Sequence, residues 1–280
     1  MTWKTHKTSI KNKMKGKKSQ YVGSIEKETV TVTILLLLAA SLLLTTSCTT
    51  TSKCSINGHE YVDLGLPSKT VWATCNVGAK SAEEYGNFYA WGETKPKSDY
   101  SWSTYTLPSD SVTKDVQVIS NNREETRKET YHRLTGRYSL ETETKNLLPQ
   151  DDAATVNWGK EWSTPTQEQW NELCDTTLCH WTQQKKGFLV TSKKNGKSIF
   201  LPACGMYYGK EAPKTFLNEG DSVRYDGHYW TATLSGVGKE MHLATVVGFN
   251  TGYQRMRFPV VSMAELCYGM SIRPVTKLQE

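Results

Sequence analysis

Beyond residue 53, apolar and polar positions alternate over short stretches more often than they repeat at helical spacing, and the alternating stretches are bounded by Gly, Pro or Asn. The turn dipeptide Asn57-Gly58 opens the first block. Glu60-Tyr61-Val62-Asp63-Leu64 and Thr70-Val71-Trp72-Ala73-Thr74-Cys75 follow it as predicted strands, and residues 85–93 add a short aromatic strand or ordered loop. Phe188-Leu189-Val190-Thr191-Ser192 and Ser198-Ile199-Phe200-Leu201 flank Asn195-Gly196, which predicts a hairpin. Residues 241–247, 255–261 and 268–275 also read as strands. Helical spacing is confined to the middle of the chain. Thr164 as N-cap, Pro165 at the first helical position and Gln167 completing a T-x-x-Q box start a helix that places Trp170, Leu173 and Cys174 on one face. A shorter helix starts at Asp151 or Asp152 and stops at Gly159. Strands on both sides of two helices predict an α+β fold with a mixed, mostly antiparallel sheet.

Residues 97–146 break the pattern. Residues 97–145 carry sixteen charges, eight of each sign, among many Ser and Thr. Val116-Gln117-Val118-Ile119 has strand character and residues 123–131 have helical charge spacing, but neither is sustained, so the segment is expected to be a mobile insertion.

Charge changes the picture only at the amino terminus. The 280 residues hold 34 Lys+Arg against 28 Asp+Glu, a net charge of +6. Residues 1–29 contain eight lysines and two glutamates, which is the whole excess. The remainder is neutral and has no basic run, so no nucleic-acid partner is expected. Nine Trp and fourteen Tyr exclude a disordered chain. After the basic stretch, residues 30–44 form fifteen uncharged, Leu-rich positions, too short for a membrane span of roughly 20 residues and right for an export signal. Leu42-Leu43-Leu44-Thr45-Thr46-Ser47-Cys48 resembles a bacterial lipoprotein signal, which implies lipidation of Cys48. The resemblance departs at Thr45, where Leu is usual, and Thr45 with Ser47 also suits ordinary signal peptidase. The expected organisation is a signal peptide at 1–47, a lipidated tether at 48–56 and a domain at 57–280, lipid-anchored in the cell envelope at the outer membrane or cell surface.

Export directs the reading of Cys54, Cys75, Cys174, Cys179, Cys204 and Cys267 toward disulfides, with fifteen possible pairings. No C-x-x-C occurs, and the spacing of Cys174, Cys179 and His180 is not that of a zinc site, so no metal or other cofactor is expected.

Val62-Asp63-Leu64-Gly65-Leu66-Pro67-Ser68, Trp72-Ala73-Thr74-Cys75-Asn76-Val77-Gly78-Ala79, Ala90-Trp91-Gly92-Glu93-Thr94, Asp151-Asp152-Ala153-Ala154, Trp158-Gly159, Trp162, Pro165-Thr166, Trp170 and Tyr268-Gly269-Met270-Ser271-Ile272-Arg273-Pro274-Val275 occur in this order. Together they resemble the Fibrobacter succinogenes major paralogous domain family. The resemblance implies a C-type lectin-like fold, related to formylglycine-generating sulfatase-modifying enzymes, with Trp72, Trp158, Trp162 and Trp170 in its core. On that resemblance Cys75 is paired with Cys179 and Cys204 with Cys267, leaving Cys54 with Cys174. The enzyme branch of the fold uses a pair of reactive, copper-binding cysteines near its carboxyl-terminal end. Here Cys267 has no neighbour in sequence to match that pair.

Other catalytic signatures are missing. Gly196-Lys197-Ser198 lacks the first glycine of a phosphate loop, the histidines form no H-x-x-x-H, and there is no G-x-S-x-G. Trp170-Asn171-Glu172, the nearest approach to a lectin calcium motif, falls inside the predicted helix. What remains is surface recognition by Trp102, Tyr105, Tyr207, Tyr208 and Tyr253 in predicted loops. The expectation is a non-enzymatic, lipid-anchored binding module for a glycan or an extracellular protein. The alternatives are a formylglycine-generating-type oxidase or modifying enzyme and a purely structural envelope lipoprotein.

Overall fold

A computed structural model of the protein describes residues 54–278 apart from 121–122, 140–141, 143, 212, 214–215, 220–221, 238–240 and 251–258. The expected signal peptide, Cys48 and Tyr253 lie outside the described residues. Asn57 and Gly58 have φ of 51° and 79°, the left-handed pair that a two-residue hairpin turn requires, and they join β1 (Ser55–Ile56) to β2 (His59–Val62). β2 pairs antiparallel with β3 (Thr70–Ala73), and β3 pairs on its other side with β13 (Val275–Lys277).

A second sheet runs β12 (Val260–Glu265), β11 (Met241–Asn250), β10 (Ser222–Val237) and β9 (Phe216–Glu219). A third meander joins β6 (Cys179–Gln184), β7 (Gly187–Ser192) and β8 (Ser198–Pro202), with Asn195-Gly196 in the β7–β8 connection as expected. All strand pairings within these sheets are antiparallel, and among the described residues two α-helices accompany them, so the fold is α+β.

Successive side chains of a strand point to opposite faces, and here both faces are covered. In β3, Trp72 enters one apolar cluster and Ala73 the other; in β10, Tyr229 and Trp230 divide the same way; in β11, Val247 and Phe249 oppose Ala244 and Val246. α2 (Gln167–Cys174) inserts Trp170 and Leu173 into the first cluster, where the Trp72 and Trp170 rings meet edge to face at 4.8 Å. α1 (Ala153–Trp158) inserts Ala153, Ala154 and Trp158 into the second. Trp72, Trp158, Trp162 and Trp170 are all buried. Replacing a buried Trp by Ala costs about 3–5 kcal/mol, so these four anchor the two clusters.

The helix starts differ in one detail from the sequence reading. α1 is capped by the Asp152 carboxylate and ends at Gly159, as expected. α2 begins two residues later than expected. Its cap is Thr166, whose hydroxyl accepts from the Gln169 N–H while the Gln169 side chain accepts from the Thr166 N–H. Thr-Pro-Thr-Gln-Glu-Gln contains two overlapping T-x-x-Q frames. The first is disqualified because Thr164 gives its N–H and hydroxyl to Asp152 at 2.8 and 2.7 Å.

Two other expectations change. β4 (Ser109–Ser120) and β5 (Arg123–Leu134) form a long antiparallel ribbon, in register over twelve residue pairs, within the segment expected to be a mobile insertion. Cross-strand pairs overrule the helical charge spacing: Arg133 forks onto Asp110 at 2.7 and 3.0 Å, and Thr113 meets Thr130 at 2.9 Å. The ribbon is rooted in the second cluster through Leu107, Leu134 and Tyr138, and the Leu134 N–H donates to His242 Nδ1 at 2.7 Å. Residues 268–275 form a run of single pairings, Met270 with Tyr89 and Ser271 with Tyr229, before β13 begins; Pro274 has no N–H for a ladder.

Candidate functional site

The five loop aromatics have separate fates. Trp102 and Tyr105 are tied into the framework. Trp102 stacks on His132 at 4.2 Å and donates its indole N–H to Glu265 at 2.6 Å; Tyr105 donates its hydroxyl to the Trp91 carbonyl at 2.7 Å, and burial pushes its pKa well up. Between them lies a closed polar knot: Glu93, 7% exposed, accepts from Lys97 at 2.8 Å and from the Thr106 N–H and hydroxyl at 2.7 and 3.0 Å. Every charge in this knot has a partner, so it fixes the loop.

Tyr207 and Tyr208 sit on a segment held between two others. Its Tyr207 N–H donates to Gly269 O at 2.8 Å, and Gly209 exchanges hydrogen bonds with Tyr100 at 2.7 and 3.1 Å. The Tyr207 ring turns inward onto Phe88 and Tyr100, with centroids at 4.9 and 5.1 Å. Gly269 is obligatory here, because a Cβ would stand 2.7 Å from the Tyr100 ring. Tyr208 turns outward. It is 62% exposed and braced edge-on by Tyr268 at 5.1 Å. On the same pairing, Asp99 has one carboxylate oxygen 3.9 Å from Lys210 and the other buried without a hydrogen-bond partner. The sequence reading missed Asp99 and Tyr268. Both lie in runs whose role depends on which loops meet, and neither spacing nor alternation carries that.

Elsewhere an open cleft of about 310 Å³ is lined by Leu64, Pro67, Leu178, Ser192, Lys193 and Lys194. Lys193 there donates to the Thr176 carbonyl at 2.6 Å. Arg273 is fully buried and forks onto neutral acceptors only: Asn76 Oδ1 at 2.8 Å, Ala73 O at 3.0 Å and Phe200 O at 2.9 Å.

The six described cysteines are free thiols, and none of the three expected pairings is formed. Each has other neighbours. Cys179 and Cys204 lie in the first cluster, Cys75 packs against the second, Cys204 donates to His228 O at 3.6 Å, and Cys267 lies 3.8 Å from a Glu265 oxygen. The thiol that acts on Cys174 is Cys179, not Cys54. Burial pushes Cys174 and Cys267 up to about 12 and Cys179 to about 11, so all three are protonated at neutral pH. Burial lowers His59, His132, His228 and His242. Among the described residues no three His, Cys, Asp or Glu side chains gather as metal ligands, and no helix is long and apolar enough to cross a membrane.

The chain matches no protein-family model, no curated protein and no solved structure.

Proposed function

We propose that the protein is a non-enzymatic binding module of C-type lectin-like fold, exported and anchored in the cell envelope through a lipid on Cys48, and that it takes a glycan on the Tyr208 surface. One observation carries the reading: Tyr208 stands out from the surface on Tyr268, and the partly exposed Asp99 carboxylate reaches Lys210 across the neighbouring Tyr100–Gly209 pairing. An exposed ring offers an apolar face for a sugar ring, and a carboxylate accepts from its hydroxyls. Trp102, Tyr105, Tyr207 and the charges around Glu93 are committed to internal contacts, so among the described residues this is the face the loop aromatics offer. The lectin-like fold is supported by the burial of Trp72, Trp158, Trp162 and Trp170 and by two helices among antiparallel strands. The protonated state of Cys174, Cys179 and Cys267 favours binding over a thiolate oxidase.

The test is a glycan array, with an extracellular-protein array beside it, probed with the full chain and with Tyr208→Ala and Asp99→Asn. Glycan capture that both substitutions weaken supports the proposal. Capture indifferent to them, or capture only of proteins, sinks it. Acyl-chain labelling that Cys48→Ala abolishes tests the anchor separately.

A further inference from the structure

β4 and β5 form a sheet of two strands, so among the described residues no strand pairs with the outer edge of β5. Such an edge is a template for another strand, and a ribbon of two strands is marginal alone. Residues 123–129 read Arg, Glu, Glu, Thr, Arg, Lys, Glu, and most are exposed. Within the ribbon four of these charges face no charge across β4: Arg123 lies opposite Ser120, Glu124 opposite Ile119, Glu125 opposite Val118 and Arg127 opposite Val116.

The order of signs is its own complement when reversed. Two copies of β5 laid antiparallel about Thr126 would place Glu125 opposite the partner's Arg127, Glu124 opposite the partner's Lys128, and Arg123 opposite the partner's Glu129. Each pair occurs twice by symmetry, and no like charges meet. A slip of one residue in one direction sets Arg123 against the partner's Lys128. A slip in the other sets Glu124 against the partner's Glu129. Register is thus specified by charge. The same pairing would extend the face that carries Val112, Val116, Val118 and Tyr131, half-buried in one copy, across both. We propose that the β5 edge is a docking surface for a second copy of this chain, giving an isologous four-stranded sheet with Thr126 on its two-fold axis.

Directly opposed residues bring their Cβ atoms to roughly 4.5–5.5 Å, close to disulfide reach. The full chain, purified in detergent because of its apolar segment, is oxidised mildly as Thr126→Cys, as Ser111→Cys on the far strand, and without either substitution. A covalent dimer from Thr126→Cys alone, fading with added salt, is expected. Glu124→Lys with Glu125→Lys, and separately Arg127→Glu with Lys128→Glu, should each abolish that dimer; an equimolar mixture of the two variants should restore it as a heterodimer, which also shows that both are folded. The proposal is overturned if Thr126→Cys gives no dimer, if Ser111→Cys crosslinks equally, or if the reversals leave crosslinking unchanged.

Discussion

Arg273 is the most informative position to perturb, because its guanidinium is buried without a carboxylate and held by three neutral acceptors from two parts of the chain. A hydrogen bond from a charged donor contributes about 1.5–3 kcal/mol. Arg273→Lys keeps the charge but presents it at one point, so it meets one acceptor of a fork spread between Asn76, Ala73 and Phe200. Losing two such bonds costs about 3–6 kcal/mol, a large share of the 5–15 kcal/mol typical of a domain. Arg273→Met also strands the acceptors, at about 1–3 kcal/mol each, but it removes the several kcal/mol of burying a charge. The expected stability order at neutral pH is wild type, then Met, then Lys. Urea unfolding followed by tryptophan fluorescence should show the Lys variant's midpoint lowered by about 1–2 M. A buried Lys has a folded pKa below its unfolded value, so the unfolded chain binds more protons and that variant's deficit relative to wild type should shrink as pH rises toward 10. A Lys variant within about 0.5 kcal/mol of wild type, or less damaged than Met, would refute the reasoning.

Thr166→Ala should cost about 1 kcal/mol, and Gln169→Ala should be non-additive with it because the two close one box, which a double-mutant cycle reads directly. The lowered pKa values of His59, His132, His228 and His242 mean that the stability they contribute is present above about pH 6.5 and is lost as pH falls below it. His242→Gln should flatten part of that acid slope in a pH series of thermal melts; an unchanged slope would exclude His242 as a contributor. Of the six described thiols only Cys54 is exposed, so thiol titration should find it alone reactive in the native protein and all six after denaturation without reductant.

Much of the scaffold was legible because local chemistry and tertiary context agree there. Asn57-Gly58, the Asn195-Gly196 connection, Asp152 to Gly159 and the Trp170/Leu173 stripe each carry their own instruction. The T-x-x-Q frame was ambiguous because a distant carboxylate, Asp152, decided which threonine was free to cap. The β4–β5 ribbon was missed for a related reason. Its charges fit helical spacing along one strand, and only the facing strand turns them into pairs. Of the five loop aromatics, Tyr208 alone is exposed among the four that are described. Composition distinguishes none of them, since the difference lies in whether Glu265, the Trp91 carbonyl or Tyr100 is within reach.

Residues 266–277 touch nearly every layer of the molecule: Leu266 O accepts from Trp91, Met270 pairs with Tyr89, Ile272 O accepts from Val77, Ser271 O from Trp230, Pro274 O from Ala73 and Val275 O from Ser163. They also come late in the chain relative to the strands they join. β3 cannot acquire β13 until some two hundred further residues have been synthesised. Assembly therefore waits on the synthesis of β13, and a nonsense mutation anywhere upstream of residue 266 leaves a chain whose earlier strands have lost a common neighbour.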